Sequence, residues 1–151
     1  MNFRNALIAL TAVWIAGVLQ SSLHAQAAAV QPPKSVWDGA YTEEQAKRGE
    51  EAYSKNCSEC HQPELTGDGF APALSGAEFM NAWNGLSIGD LYDRVRTAMP
   101  PGKEASVPNE TKADIIAHIL HFNKFPAGTY EIGTKTEELK GIKFEATKPG
   151  Q

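Results

Sequence analysis

The chain has 151 residues, 42% hydrophobic and 21% charged, with a formal net charge of −4. That length points to one globular domain rather than several. Setting aside residues 1–27, whose only charge is Arg4, leaves −5, which argues against nucleic acid as a partner. The charges are spread along the chain, so the acidic excess marks no binding face and means solubility.

Residues 1–27 read as a secretory signal: Arg4 supplies the positive start, Ala6 to Leu19 the apolar run, and small polar residues follow. Cleavage after Ala27 places small Ala25 upstream, whereas cleavage after Ala25 would place Leu23 there. The run is short for a bilayer crossing, so no membrane span is expected in the mature chain; an uncleaved N-terminal anchor is the competing reading. Either way the domain is exported, and the expected location is the periplasm.

Residues 28–41 are small, polar and Pro-containing and read as a flexible leader. Thr42-Glu43-Glu44-Gln45 has the form of a capping box, predicting a helix from Glu43 to about Asn56. Leu65 to Gly76 holds three glycines and Pro72, which is loop chemistry. Short helices are predicted at Ala77 to Trp83 and at Ile88 to Thr97, the second started by Ser87 or Gly89 and ended by Pro100-Pro101-Gly102. A last helix is predicted after Pro108, capped by Asn109 and reaching Phe122, with Ala113, Ile116, Ile119 and Leu120 buried. Residues 42–123 form the expected domain. Residues 124–151 form an extension packed on it, in which Leu139, Ile142 and Phe144 make a short extended strap.

Cys57-Ser58-Glu59-Cys60-His61 is the C-x-x-C-H haem-attachment signature. Two thiols so spaced at a helix end reach the two vinyl groups on one haem edge, and the next residue, His61, falls beneath the iron. A thioredoxin-like redox pair would sit beside a βαβ pattern, but the flanks here are helical and glycine-rich. A structural zinc site would want four ligands, and no second Cys or His pair lies close to the motif in the sequence. A plain disulfide would leave His61 without a role.

The candidates for the other axial position are Met80, Met99, His118 and His121. Met99 is favoured, because the rigid Pro100-Pro101-Gly102 exit holds a thioether without helical hydrogen bonds. Met80, between Phe79 and Trp83, reads as core filler. His118 and His121 lie near one another on the surface of the last predicted helix, where a histidine is more often solvated than ligating.

From Glu43 to Asn123 the sequence resembles the class I cytochromes c. The order of parts carries the resemblance: a helix with Gly49 and Tyr53, the haem motif, the loop Gly69-Phe70-Ala71-Pro72-Ala73-Leu74-Ser75-Gly76, then Met99-Pro100, then an apolar helix. The resemblance implies an all-α fold, a small helix bundle around one covalently bound haem c. It further implies that the Pro72 carbonyl accepts the ring N–H of His61, that Leu74 packs on the haem, and that Trp83 with Arg94 or Arg96 donates to its propionates. It implies that the first and last helices cross closely at Gly49 and Tyr53. His118 stands where similar sequences often carry Tyr, which makes the crossing more polar or turns His118 outward. The segments Phe79 to Trp83, Met99 to Gly102 and Asn123 to Gly128 look like cytochromes associated with periplasmic quinoprotein and alcohol dehydrogenases.

The function these features imply is one-electron transfer between protein partners, not catalysis. Ligation by His61 and Met99 leaves neither face of the haem open to substrate, and a thioether raises the reduction potential. The thioether edge at Cys57 and Cys60 is the expected doorway for the electron. The partners fitting this reading are redox proteins, a quinoprotein dehydrogenase as donor and a terminal oxidase as acceptor. Two alternatives stand beside it: a haem-bearing subunit of a dehydrogenase complex, and a haem enzyme or sensor with a displaceable Met99.

Overall fold

Six helices in chain order, α1 (Glu43–Asn56), α2 (Ser58–His61), α3 (Gly76–Trp83), α4 (Ile88–Ala98), α5 (Asn109–Phe122) and α6 (Thr136–Leu139), make up the fold of the computed structural model, which describes residues 31–150. The expected secretory signal lies outside those residues. Among them no strand forms, only isolated bridges from Lys143 to Ser35 and Ser87, so the all-α expectation is met.

Helix α1 starts where the sequence asks for a start. The Thr42 hydroxyl accepts from the Gln45 amide at 3.1 Å, and Glu43 and Glu44 face the positive end of the helix dipole. The reciprocal half of the box is not made, because Gln45 is buried and used elsewhere. Its amide group exchanges two 2.9 Å hydrogen bonds with the backbone of Ile132, tying the C-terminal extension to the first helix. Helix α4 does have a complete box, between Ser87 and Asp90.

The main contact is the crossing of α1 with α5. A methyl group added at Gly49 would lie 1.8 Å from the Asp114 carbonyl oxygen, so the two backbones touch where only glycine fits. Beside this contact Arg48 binds Asp114 through two 3.1 Å hydrogen bonds and reaches Glu131. The guanidinium is half exposed, so the pairs orient the surface more than they stabilise it. The core is completed by Ile115, Ile116, Ile119 and Leu120 of α5, Leu91 and Tyr92 of α4, and Phe79 of α3.

Three expectations change and one choice narrows. Pro108, not Asn109, occupies the cap position of α5, and Asn109 is its first helical residue. The strap is partly helical: α6 delivers Leu139, after which Ile142 and Phe144 run extended and are buried, with Ile142 accepting from the Ile88 amide and Phe144 donating to Leu86. The leader is built into the fold from Ser35 onward. Val36 is fully buried, its amide donates to Lys143, and Trp37 packs edge-on against Phe125 at 4.7 Å while its indole N–H donates to Glu145. Of the two alternatives for His118 the more polar crossing holds: it lies inside the α1–α5 contact, its ring 5.2 Å from that of Tyr53.

Candidate haem site

The chain turns sharply at Cys57, where α1 ends and α2 begins. The amides of Cys60 and His61 both donate to the Cys57 carbonyl, at 3.2 and 2.9 Å, so the two cysteines stand one helical turn apart on one face. Both thiols are free, Cys57 partly buried and Cys60 exposed. Burial, reinforced by neighbouring Cys60, pushes the Cys57 thiol up to about 11. A raised thiol makes Cys57 a poor nucleophile, and among the described residues no strand forms to build the βαβ setting of a thioredoxin-like pair.

His61 is buried, and its Nδ1 lies 2.9 Å from the Pro72 carbonyl oxygen. A carbonyl only accepts, so Nδ1 carries the proton and Nε2 keeps its lone pair, the arrangement a metal-binding imidazole requires.

The loop that brings Pro72 back to His61 is closed by its own backbone. Gln62 and Leu65 adopt left-handed conformations, the Gly67 amide donates to the His61 carbonyl, and the Leu74 amide donates to Leu65. Gly67 is required: its φ is 72°, and a methyl group there would lie 2.4 Å from the Ala71 carbonyl oxygen. Asp68 accepts from the amides of Phe70 and Ala71, and those bonds, Ala71's first, hold its carboxyl below the usual range. Tyr53 of α1 donates to the Gln62 carbonyl at 2.7 Å.

Asn123, just past α5, was legible only as the end of a helix, yet it latches this loop. Its amide nitrogen donates to the carbonyls of Leu74 and Ile119, and its oxygen accepts from Gly76. Lys112 is a second residue without a sequence signal: it is buried, and its ammonium donates to the backbone on both sides of Met99.

Met99 itself closes α4, its amide donating to Val95, and turns into extended backbone with a partly buried side chain. Met80 is partly buried within α3. Leu74 is partly buried under the Asn123 latch. Trp83 ends α3 beside Phe79. Arg94 is exposed and makes no hydrogen bond among the described residues, whereas Arg96 is held by Asp93 at 2.6 Å. The structure thus joins Cys57, Cys60, His61 and Pro72 in one network, with Leu74 bonded to the same loop.

These residues fit haem c. Two thiols one turn apart precede an imidazole with a free Nε2, and Cys57, Leu74, Met80, Trp83 and Val95 pack on the core while staying partly open to solvent. Fold and site together define a haem-binding electron-transfer protein of the cytochrome c class. Residues 44–119 match the family model described as cytochrome C oxidase, cbb3-type, subunit III, and the chain belongs to this cytochrome c family. No curated protein and no solved structure matches the chain.

Proposed function

We propose that the chain is an exported mono-haem electron carrier in which His61 and Met99 hold the iron, working between a periplasmic dehydrogenase and an acceptor such as a terminal oxidase. The observation that carries this reading is the His61–Pro72 hydrogen bond within the C-x-x-C-H turn, which leaves Nε2 as the donor to a metal. Haem c, held through Cys57 and Cys60, supplies an iron that alternates between the ferrous and ferric states.

The chain's own part is to hold. His61 is fixed in tautomer and rotation by Pro72, and the Tyr53 and Asn123 bonds keep the loop from opening. Met99 offers a soft thioether from the end of α4, favouring the lower oxidation state. Trp83 and Arg94 are the propionate donors on this reading; Arg94 is free to serve, while Arg96 is occupied by Asp93. No helix among the described residues is long and apolar enough to cross a membrane.

The test is optical. The oxidised holoprotein is expected to show the weak sulfur-to-iron absorption near the red end of the visible spectrum. Met99→Ala abolishes it, lowers the potential and opens the reduced protein to carbon monoxide. Met80→Leu leaves the band in place. A band that survives loss of Met99 and disappears with Met80→Leu assigns the ligand to Met80 instead.

A second reading, a haem-bearing subunit of a larger oxidoreductase complex, is favoured by the match to a family named for an oxidase subunit. Native material that elutes as a complex with a dehydrogenase or oxidase supports it; a freely diffusing monomer supports the carrier.

A further inference from the structure

Lys112 is an unusual place to find a lysine. It lies in the second turn of α5 with only 2% of its surface exposed, and it forms no ion pair among the described residues. Burying an ammonium is costly unless its protons are used. Two of them are: Nζ donates to the Arg96 carbonyl at 3.0 Å and to the Glu104 carbonyl at 2.6 Å.

The position of those acceptors is informative. Arg96 lies in the last turn of α4, and the amide that would bond its carbonyl in a continuing helix belongs to residue 100, a proline without an N–H. The Arg96 carbonyl is therefore left over by the sequence that ends the helix, at the negative end of the helix dipole, where a cation is favoured. Glu104 begins a 3-10 turn, Glu104–Ser106, on the far side of the same loop. Between the two carbonyls lie Met99, Pro100, Pro101 and Gly102. One side chain thus ties down both ends of the segment that carries Met99, from a helix that is itself anchored by its crossing with α1.

We propose that Lys112 is the positioning residue for Met99: by bridging the Arg96 and Glu104 carbonyls it fixes the span of the Met99 loop and so the point at which the thioether is presented. This rests on the reading of Met99 as an iron ligand. The link is mechanical. Without the bridge, the loop loses the two hydrogen bonds that tie both of its ends to α5, and only packing and the chain at Val107 and Pro108 would still join it to that helix.

The test uses the holoprotein, with the sulfur-to-iron band as readout and helical circular dichroism as a control. The wild type is measured first. If it lacks the band, the Met99 reading fails and this proposal falls with it. Given the band, Lys112→Met, which keeps the length and removes the donors, is expected to retain covalent haem and helix content. It should lose the band on heating well before the helices melt, and its reduced form should take up carbon monoxide at least tenfold faster. Lys112→Arg, which restores donors, is expected to bring the band back toward wild-type persistence. If Lys112→Met does not fold, Lys112→Gln is read the same way. A folded Lys112→Met or Lys112→Gln protein whose band lasts to the global melt, as in the wild type, overturns the proposal while leaving the ligand assignment intact.

Discussion

The α1–α5 crossing and the loop from Gln62 to Ser75 both support the haem motif, but by different physics. At the crossing, two helices approach until backbone meets backbone at Gly49 and Asp114, and tightly packed side chains, His118 among them, fill the rest. Its stability comes from excluded water and close packing, which tolerate no added volume. The loop buries little of itself, and Phe70 at its tip is fully exposed. Its shape comes from directed hydrogen bonds: Pro72 with His61, Leu74 with Leu65, and Asn123 across to Leu74 and Gly76. The packed region carries the fold, and the bonded region aims one imidazole nitrogen.

Substitutions in each region should separate these roles. The largest effect is expected from Gly49→Ala, which forces α1 and α5 apart and should cost about 3 kcal/mol or more of stability. Urea titration of the holoprotein measures it, and a variant as stable as wild type would show that the crossing yields easily.

Asn123→Ala comes next, leaving the Gly76 amide and Leu74 carbonyl without their partner at a cost of about 1–2 kcal/mol. Because the latch holds the loop rather than the core, the variant should also shift the reduction potential at unchanged helix content. Equal loss of stability with no change in potential would make Asn123 a general helix terminator.

The smallest effect concerns pH. His118 is buried between Tyr53 and Phe122, and burial, opposed by Glu50 and reinforced by His121, holds its pKa below the ordinary 6.5. The folded state therefore prefers the neutral ring. The stability this contributes is complete above about pH 6.5 and is lost as pH falls through the lowered folded value. His118→Phe should flatten that part of the stability profile, and an unchanged slope would place the acid sensitivity elsewhere.

What the sequence made legible follows the same division. Local chemistry was readable: the C-x-x-C-H spacing, Thr42 and Ser87 as caps, the Pro-Pro-Gly stop after Met99, and the apolar face of α5. Features depending on distant partners were not. Gln45 has the right spacing for a capping box, but a residue 87 positions away claims its side chain. Val36 looked like part of a leader because the strand-like segment it meets lies more than a hundred residues later. Lys112 carries no local signal, since its acceptors come from two other elements. His118 could be placed either in a more polar crossing or outward, and only the closeness of the crossing decides for the first.

The meeting of Ser35 with Lys143 runs in parallel, with Val36 donating to Lys143, Lys143 donating to Lys34, the Ser35 hydroxyl on the Glu145 carboxylate and the Trp37 indole on the Glu145 carbonyl. Parallel pairing of an entering and a leaving segment is a shear joint: tension applied through the two ends loads these bonds together instead of peeling them one after another. A tether on either side would meet that joint before any force reached the helices that hold Cys57 and His61.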